Sequence, residues 1–343
     1  MKKYVLLMFG LLIFSAQSIA DCKYSTGTTP GTVGLTLNPR LLSDASLPIG
    51  SVLFAKTVGI SSMKTFYNCD ITSADPDLYR IDVGSKTPVP GVTGMNGEAV
   101  YETGIDGIGF QVSDALSGEP GRPVVAKIGT YPLTVTATMG IKQWTVWLIK
   151  TKAIIDTSKT TVPSITITYA AGRSGQVNSL ILSTQLLRVT LNLGTVNYRA
   201  TSCNLTPRGG NVIKLDPIKL PDLKKITPPN ATGKAKEVIL DMTCPSEAIG
   251  INYNYWFNPV SGSDTKDGVL LNSTSVAAGG AQDVGFIIKQ GSTAVKFYDY
   301  DDYQIAKTKA TQEIKFNIDY YRLSNNISQG AVTGLIEVIL QEK

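Results

Sequence analysis

The sequence predicts an all-β protein of two domains in tandem, and three observations lead there. Thr, Ser, Val, Ile and Gly recur in short alternating runs, while long windows rich in Glu, Lys, Ala and Leu are missing; that is the composition of half-buried strands rather than helices. The chain has 343 residues, well beyond the roughly 150 of one ordinary domain. Its four cysteines fall into an early couple, Cys22 and Cys69, and a late couple, Cys203 and Cys244. With 43% hydrophobic and 17% charged residues, there is apolar material for two cores and too little charge for a disordered chain.

Met1-Lys2-Lys3, an apolar run over 4–14 and Ser18-Ile19-Ala20 have the parts of a secretory signal peptide, so the mature chain is expected to begin near Asp21 and to work outside the cytosol. The run is too short to span a bilayer, and no later stretch approaches the ~20 apolar residues a helix needs. Without Lys2 and Lys3 the 32 basic residues fall to 30 against 27 acidic, a formal +3, which argues against nucleic acid as the main partner. Export favours disulfides. Four cysteines allow three pairings, and their clustering points to Cys22–Cys69 and Cys203–Cys244. Each bridge would close a loop of roughly forty residues, for which the chain-entropy model gives about 4 kcal/mol. No metal or other cofactor is expected. There is no CxxC and no histidine, and a four-thiolate site would have to draw on both halves.

In chain order, 26–34 reads as a Gly/Thr/Pro loop, 52–55 and 65–69 as short strands, and 75–97 as exposed loops around a strand over 78–83. Across 100–112, Gly104, Gly107 and Gly109 permit a tight turn and then close backbone packing at the start of a strand. The spacing is not GxGxxG and no helix pattern follows, which counts against a phosphate loop. Strict alternation marks strands over 133–139 and 165–169, and 180–193 is long enough for two. In 144–150 the two tryptophans, Trp144 and Trp147, stand three apart and so point to opposite faces, one to the core and the other toward solvent. A boundary is placed near 197–203, giving halves over 21–198 and 199–343. Between 207 and 236, seven basic residues outnumber Asp216 and Asp222; the run reads as a solvated face and loop, with an acidic partner as the sharper alternative. Later strands are expected over 237–244, 251–257, 283–289, 294–298 and 313–321, and Val238, Leu240 and Met242 should share a face with Cys244.

The last stretch, Gly330-Ala331-Val332-Thr333-Gly334 followed by 335–340, places Ile336, Val338 and Leu340 on one face at strand period, with only Gln341-Glu342-Lys343 after them. A chain that stops on a core-lining strand is expected to leave backbone groups unpaired beside an open apolar groove.

From these residues onward the second half resembles the pilin domain of two-domain tip adhesins from chaperone–usher fimbriae. The resemblance is carried by the Cys203 and Cys244 separation, Gly268-Val269-Leu270-Leu271-Asn272, the block over 280–291, Tyr320-Tyr321-Arg322 and the terminal strand, in order over nearly all of 203–343. More loosely, the first half is similar to receptor-binding domains of the type 3 fimbrial adhesin kind, through its early cysteines, the block over 103–110 and Trp147-Leu148-Ile149-Lys150-Thr151. The resemblance implies two immunoglobulin-like or jelly-roll-type sandwiches, the second lacking its last strand. That strand would come first from a periplasmic fimbrial chaperone and then from an adjacent pilin subunit, with assembly through an outer-membrane usher. The groove would be lined by Val238, Leu240, Met242, Ile336, Val338 and Leu340. Since some 180 residues stand where a shaft subunit would carry a short donor extension, the first half is expected at the fimbrial tip at the cell surface, binding a host cell-surface glycan or matrix protein.

Sugar recognition pairs aromatic faces with hydroxyl-binding polar groups on loops, and Tyr101, Asp106, Arg122, Tyr131 and Trp144 are the candidates, with core packing or loop structure as the competing role of each. Catalysis is not expected. The absence of histidine removes Ser-His-Asp, Cys-His and HExxH arrangements, Ser61-Ser62-Met63-Lys64 lacks the SDN and KTG partners of an SxxK serine, and Asp299-Tyr300-Asp301-Asp302 reads as a solvated turn. A structural fibre initiator with little receptor affinity and a secreted hydrolase with a carboxylate pair are the alternatives.

Overall fold

The computed structural model describes residues 22–24, 31–43, 47–59, 67–69, 78–119, 122–133, 135, 143–172, 177–180 and 184–343. The expected signal segment, the SxxK run and most of the strand expected over 133–139 lie outside them.

The strands of the first half are β1 (Cys22–Tyr24), β2 (Gly31–Thr36), β3 (Arg40–Leu42), β4 (Val52–Gly59), β5 (Tyr67–Cys69), β6 (Leu78–Asp82), β7 (Pro88–Thr93), β8 (Ala99–Ile105), β9 (Ile108–Glu119), β10 (Arg122–Val125), β11 (Gly129–Pro132), β12 (Gln143–Lys150), β13 (Ile165–Gly172), β14 (Gln185–Asn192) and β15 (Asn197–Arg199). One sheet runs β4-β12-β9-β8-β7 with β10 on β9, and the other runs β11-β6-β13-β14-β2. Alternation along β12 sends Trp144, Val146 and Leu148 inward, where they meet Tyr79, Ile81, Ile167, Tyr169 and Val189 of the facing sheet in one core. The β1/β5 register sets Cys22 opposite Cys69. At the β8/β9 turn Gly107 takes φ +87, and a Cβ there would stand 2.8 Å from both Ile154 O and Ile155 Cα, so the turn needs glycine for conformation and for space.

Three expectations of this half change. Residues 31–34 of the expected loop belong to a strand: β2 adds to the sheet edge parallel to β14, with Val33 and Leu35 packed on the core. Residues 88–93 pair with β8, and among the described residues of 180–193 there is one strand, β14.

The second half contributes β16 (Asn204–Pro207), α1 (Leu220–Lys224), β17 (Asn230–Ala231), β18 (Lys236–Thr243), β19 (Tyr253–Pro259), β20 (Val269–Leu270), β21 (Val284–Gln290), β22 (Thr293–Ala294), β23 (Gln304–Ile305), β24 (Thr311–Arg322) and β25 (Ile336–Glu342). A large sheet runs β16-β18-β24-β21-β20, with β17 on β24 and β22 on β21; facing it is a small sheet, β23-β19-β25. Each described sheet draws its strands from one side of residues 200–203 only. Cys203 and Cys244 are disulfide-bonded. The strand expected over 294–298 stops at Ala294; Tyr298 takes φ +58, a left-handed turn conformation that extended chain does not use.

Both tryptophans of β12 are buried, which corrects the expectation that one faces solvent. Trp144 is in the core. Trp147 lies on the opposite face, and the second half covers that face: Ala55, Met95, Val100, Trp147 and Ile149 pack with Trp256 and Tyr300. Trp147 Nε1 donates to the Tyr300 hydroxyl at 2.9 Å, and the Ala55 amide donates to Gln341 Oε1 at 2.8 Å. The Glu342 carboxylate, 7% exposed, accepts from Arg40 at 3.3 Å and Arg199 at 3.1 Å. An outer sheet face that water covers in a lone sandwich is here an internal joint.

Candidate functional site

The feature of the second half with the clearest capacity to bind is the free side of β25. This strand pairs with β19 along its whole length, from Tyr253↔Glu342 to Pro259↔Ile336. Among the described residues, no strand pairs with its other edge, so backbone donors and acceptors there remain available. Its side chains alternate, and Ile336, Val338 and Leu340 are only partly covered although they pack against the same core as buried Val238 and Leu240. Met242, expected to line the groove, lies deeper, against Cys203, Cys244 and Tyr253 at the disulfide end.

Three cavities are lined in succession by 328–332, 332–336 and 337–340, the segment that leads into β25 and then β25 itself. One of about 620 Å³ lies among Leu220, Leu223, Val284, Tyr320 and Val332. The next, about 560 Å³, is bounded by Ile213, Leu215, Phe286, Ile318 and Ile336. The third, about 590 Å³, lies among Leu205, Val338 and Leu340 and reaches residues of the first half. Sequence reading missed Leu205, Ile213, Leu215, Ile318 and Tyr320. The signal was present for most of them: Ile314, Phe316, Ile318 and Tyr320 alternate along β24, and Ile213 and Leu215 do so inside a segment read as a basic loop.

The lead-in to β25 is held open. The Asn272 amide donates to Ala281 O and Ala331 O, both at 3.0 Å, and its Oδ1 accepts from Thr333 N at 2.9 Å. Ser273 N donates to Thr333 O at 2.8 Å. One side chain of the 268–272 block thus ties down the 331–333 segment, whose Ala331, Val332 and Thr333 line the first two cavities.

The five receptor-contact candidates do not converge, and none of them lines these three cavities. Tyr101 is half-buried, its ring 6.2 Å from Phe110, with burial and then Glu98 pushing its phenol up. Asp106 is exposed on the β8/β9 turn and paired with Lys152 at 2.7 Å. Arg122 donates to Lys266 O at 2.6 Å, so it bridges the two halves instead of presenting a free guanidinium. Tyr131 stacks edge-on against Tyr79 at 5.4 Å and donates to Asp114 Oδ2 at 3.4 Å. Trp144 is fully buried; its Nε1 donates to the Tyr169 hydroxyl at 2.8 Å, which donates to Ser113 O at 2.6 Å. Its large apolar face is spent in the core, and it is withdrawn from the candidate surface. The 299–302 segment is a turn: Asp299 Oδ1 accepts from Asp302 N at 3.1 Å, and Lys296 pairs with Asp302 at 3.1 Å.

The buried phenols make a prediction about pH. Burial, reinforced by the Asp114 carboxylate, holds the Tyr79 and Tyr131 phenols well above their ordinary range, and burial does the same for Tyr169 and Tyr300. Because the folded state keeps these protons, their contribution to stability is whole below about pH 10 and is lost as pH rises beyond it. Titrated at 295 nm, these four of the 15 tyrosines should ionise only in a cooperative step that coincides with alkaline unfolding. Smooth ionisation near pH 10 with the fold intact would contradict the buried network.

No protein-family model matches the chain, and no curated protein does. Among solved structures, it is similar to the receptor-binding domain of the plasmid-borne adhesin MrkD1P of Klebsiella pneumoniae, at 20% identity over 53% of this chain and 98% of that one, with a TM-score of 0.35. It is similar to the CupB6 tip adhesin of Pseudomonas aeruginosa at 16% identity, 93% and 94% coverage and a TM-score of 0.31. For the P pilus adaptor subunit PapF the values are 13%, 42% and 97%, and 0.27.

Proposed function

We propose that this protein is a fimbrial tip adhesin of the chaperone–usher kind. In this reading 21–198 is a receptor-binding domain for a host glycan or matrix protein, and 199–343 is a pilin domain anchored by a strand received from another chain. The observation that carries it is the free edge of β25 above a partly covered apolar floor. Such a site takes an extended peptide: main-chain hydrogen bonds supply affinity and alternate side chains enter pockets, the β-augmentation mode of which chaperone–pilin complementation is a standard instance. The periplasmic chaperone fills the groove first and the neighbouring subunit later, after passage through the outer-membrane usher. Secretion through the periplasm to the cell surface follows from the same reading.

Val338→Glu tests it. A carboxylate placed on the groove face must be buried without a partner when a strand docks, a cost of several kcal/mol. Co-purification with the periplasmic chaperone of its own assembly system is expected to fall at least tenfold, about 1.4 kcal/mol, while the disulfide and far-ultraviolet signature remain. Chaperone binding equal to that of the unaltered chain would remove the acceptor reading. The structural-initiator alternative is favoured by one observation, the dispersal of the five receptor candidates. An array of glycans and matrix proteins probed with the full chain separates the two.

A further inference from the structure

The cavity beside Val338 and Leu340 is not made by the second half alone. Its far wall is the turn Leu47-Pro48-Ile49-Gly50-Ser51 and the start of β4, all from the first half. That turn is fixed in place with unusual means. Lys150, fully buried, donates from Nζ to Leu47 O at 2.8 Å. The backbones lock as well: Gly50 N donates to Lys150 O at 2.8 Å, Lys150 N to Ser51 O at 2.9 Å, and Ser51 N to Pro48 O at 3.2 Å. Gly50 adopts φ +93, and a Cβ there would meet Thr93 O at 2.8 Å, so the turn sits flush against β7. A buried ammonium is costly unless hydrogen-bonded. Here that bond holds up a turn whose tip, Ile49, is 53% exposed at the mouth of a cavity that Leu47, Leu205 and Leu340 share with Ser51, Ser202 and Asn204.

We infer that the first half supplies the end wall of the strand-acceptor groove, with Ile49 and Leu47 contacting the last residues of the strand that docks along β25. This rests on the proposed acceptor function and adds what it did not contain: a receiving site shared between the halves, and a required length for the guest. The two cavities along β25 and the residues just before it run from Val332 to Leu340, and at about 3.3 Å per residue an occupant that follows them to the Ile49 wall needs about ten extended residues, apolar at every second position. The occupant is an extended segment of a partner polypeptide. A flat or helical ligand would leave the free β25 backbone edge unpaired.

The probe is a fluorescent 14-residue peptide alternating Val, Ile or Leu with Thr, Ser or Lys, in two forms that carry a photo-crosslinking residue at one end or the other, added to the full mature chain. One form should label residues 47–53 and the other should label only the second half. Ile49→Glu, at an exposed position that does not threaten folding, should weaken binding about tenfold, and Ile49→Val should leave it within about twofold. A peptide that binds yet labels only 204–342 with both forms, and binds Ile49→Glu as tightly, overturns the shared groove while leaving the acceptor reading intact. A chain that binds neither form, or that pairs with a second copy of itself and excludes the peptide, overturns the acceptor reading and this inference together.

Discussion

Trp147→Ala is expected to cost about 3–5 kcal/mol, the range for truncating a large aromatic in a close-packed site, although this side chain is not in the core of its own sandwich. Its indole is fully buried between the halves, surrounded by Ala55, Met95, Val100 and Ile149 on one side and Trp256 and Tyr300 on the other. Truncation opens a void where a rigid body cannot relax and leaves the buried Tyr300 hydroxyl without the indole donor at 2.9 Å, a further penalty. Because the loss falls on the joint, the expected signature is uncoupling. One urea transition should split into two, and the solution radius of gyration should rise as the halves separate. Trp147→Phe keeps most of the packing and forfeits the hydrogen bond, so about 1 kcal/mol is expected. If Trp147→Ala unfolds at the same urea midpoint in one transition, the joint is not a stabilising interface.

Trp147 also shows where sequence reading ends. The i, i+3 spacing in β12 correctly placed the two tryptophans on opposite faces, since period two is a property of the strand itself. What covers each face is a property of distant chain: Trp256, Tyr300 and Ile339 lie far along the sequence, and no local pattern announces them. Similarly, Val33 and Leu35 carried strand period, but glycine and threonine around them read as loop, and only the neighbouring β14 edge turned the segment into a strand. The alternation of Val238 and Leu240 in β18 and of Ile336, Val338 and Leu340 in β25 made the apolar floor legible along one line. Its opposite wall comes from Ile213 and Leu215 in a basic connection and from Leu47 in the first half, contributions that only tertiary structure brings together. The five receptor-contact candidates were the part least fixed by sequence. Aromatics chosen by type alone mix core residues such as Trp144 with edge residues such as Tyr131, and chemistry without position cannot separate them.

Removal of the Cys203–Cys244 disulfide reaches both stability and the groove. The bridge joins residues 41 apart in sequence, and constraint of the unfolded chain over such a loop is worth about 4 kcal/mol in the chain-entropy model. Both cysteines are nearly buried, packed with Met242, Ala248 and Tyr253, so alanine is the appropriate replacement: it introduces no polar group into that cluster. The bridge also anchors β16, a four-residue strand that among the described residues pairs with β18 alone, from Asn204↔Thr243 to Pro207↔Leu240. An edge that short frays readily once its covalent tie is cut. Leu205 on it packs against the core below β25 and lines the cavity at the Leu340 end, so fraying removes one bank of the proposed acceptor groove. The paired Cys203→Ala and Cys244→Ala variant should therefore lose about 2–4 kcal/mol in urea unfolding and should bind the alternating peptide at least tenfold more weakly. Peptide binding should suffer even at low temperature, where the folded population is high, because the defect is in the groove's shape as well as in the folding equilibrium. A variant with a lowered urea midpoint but unchanged peptide affinity would separate these effects and show that β16 holds its place through its ladder to β18 alone.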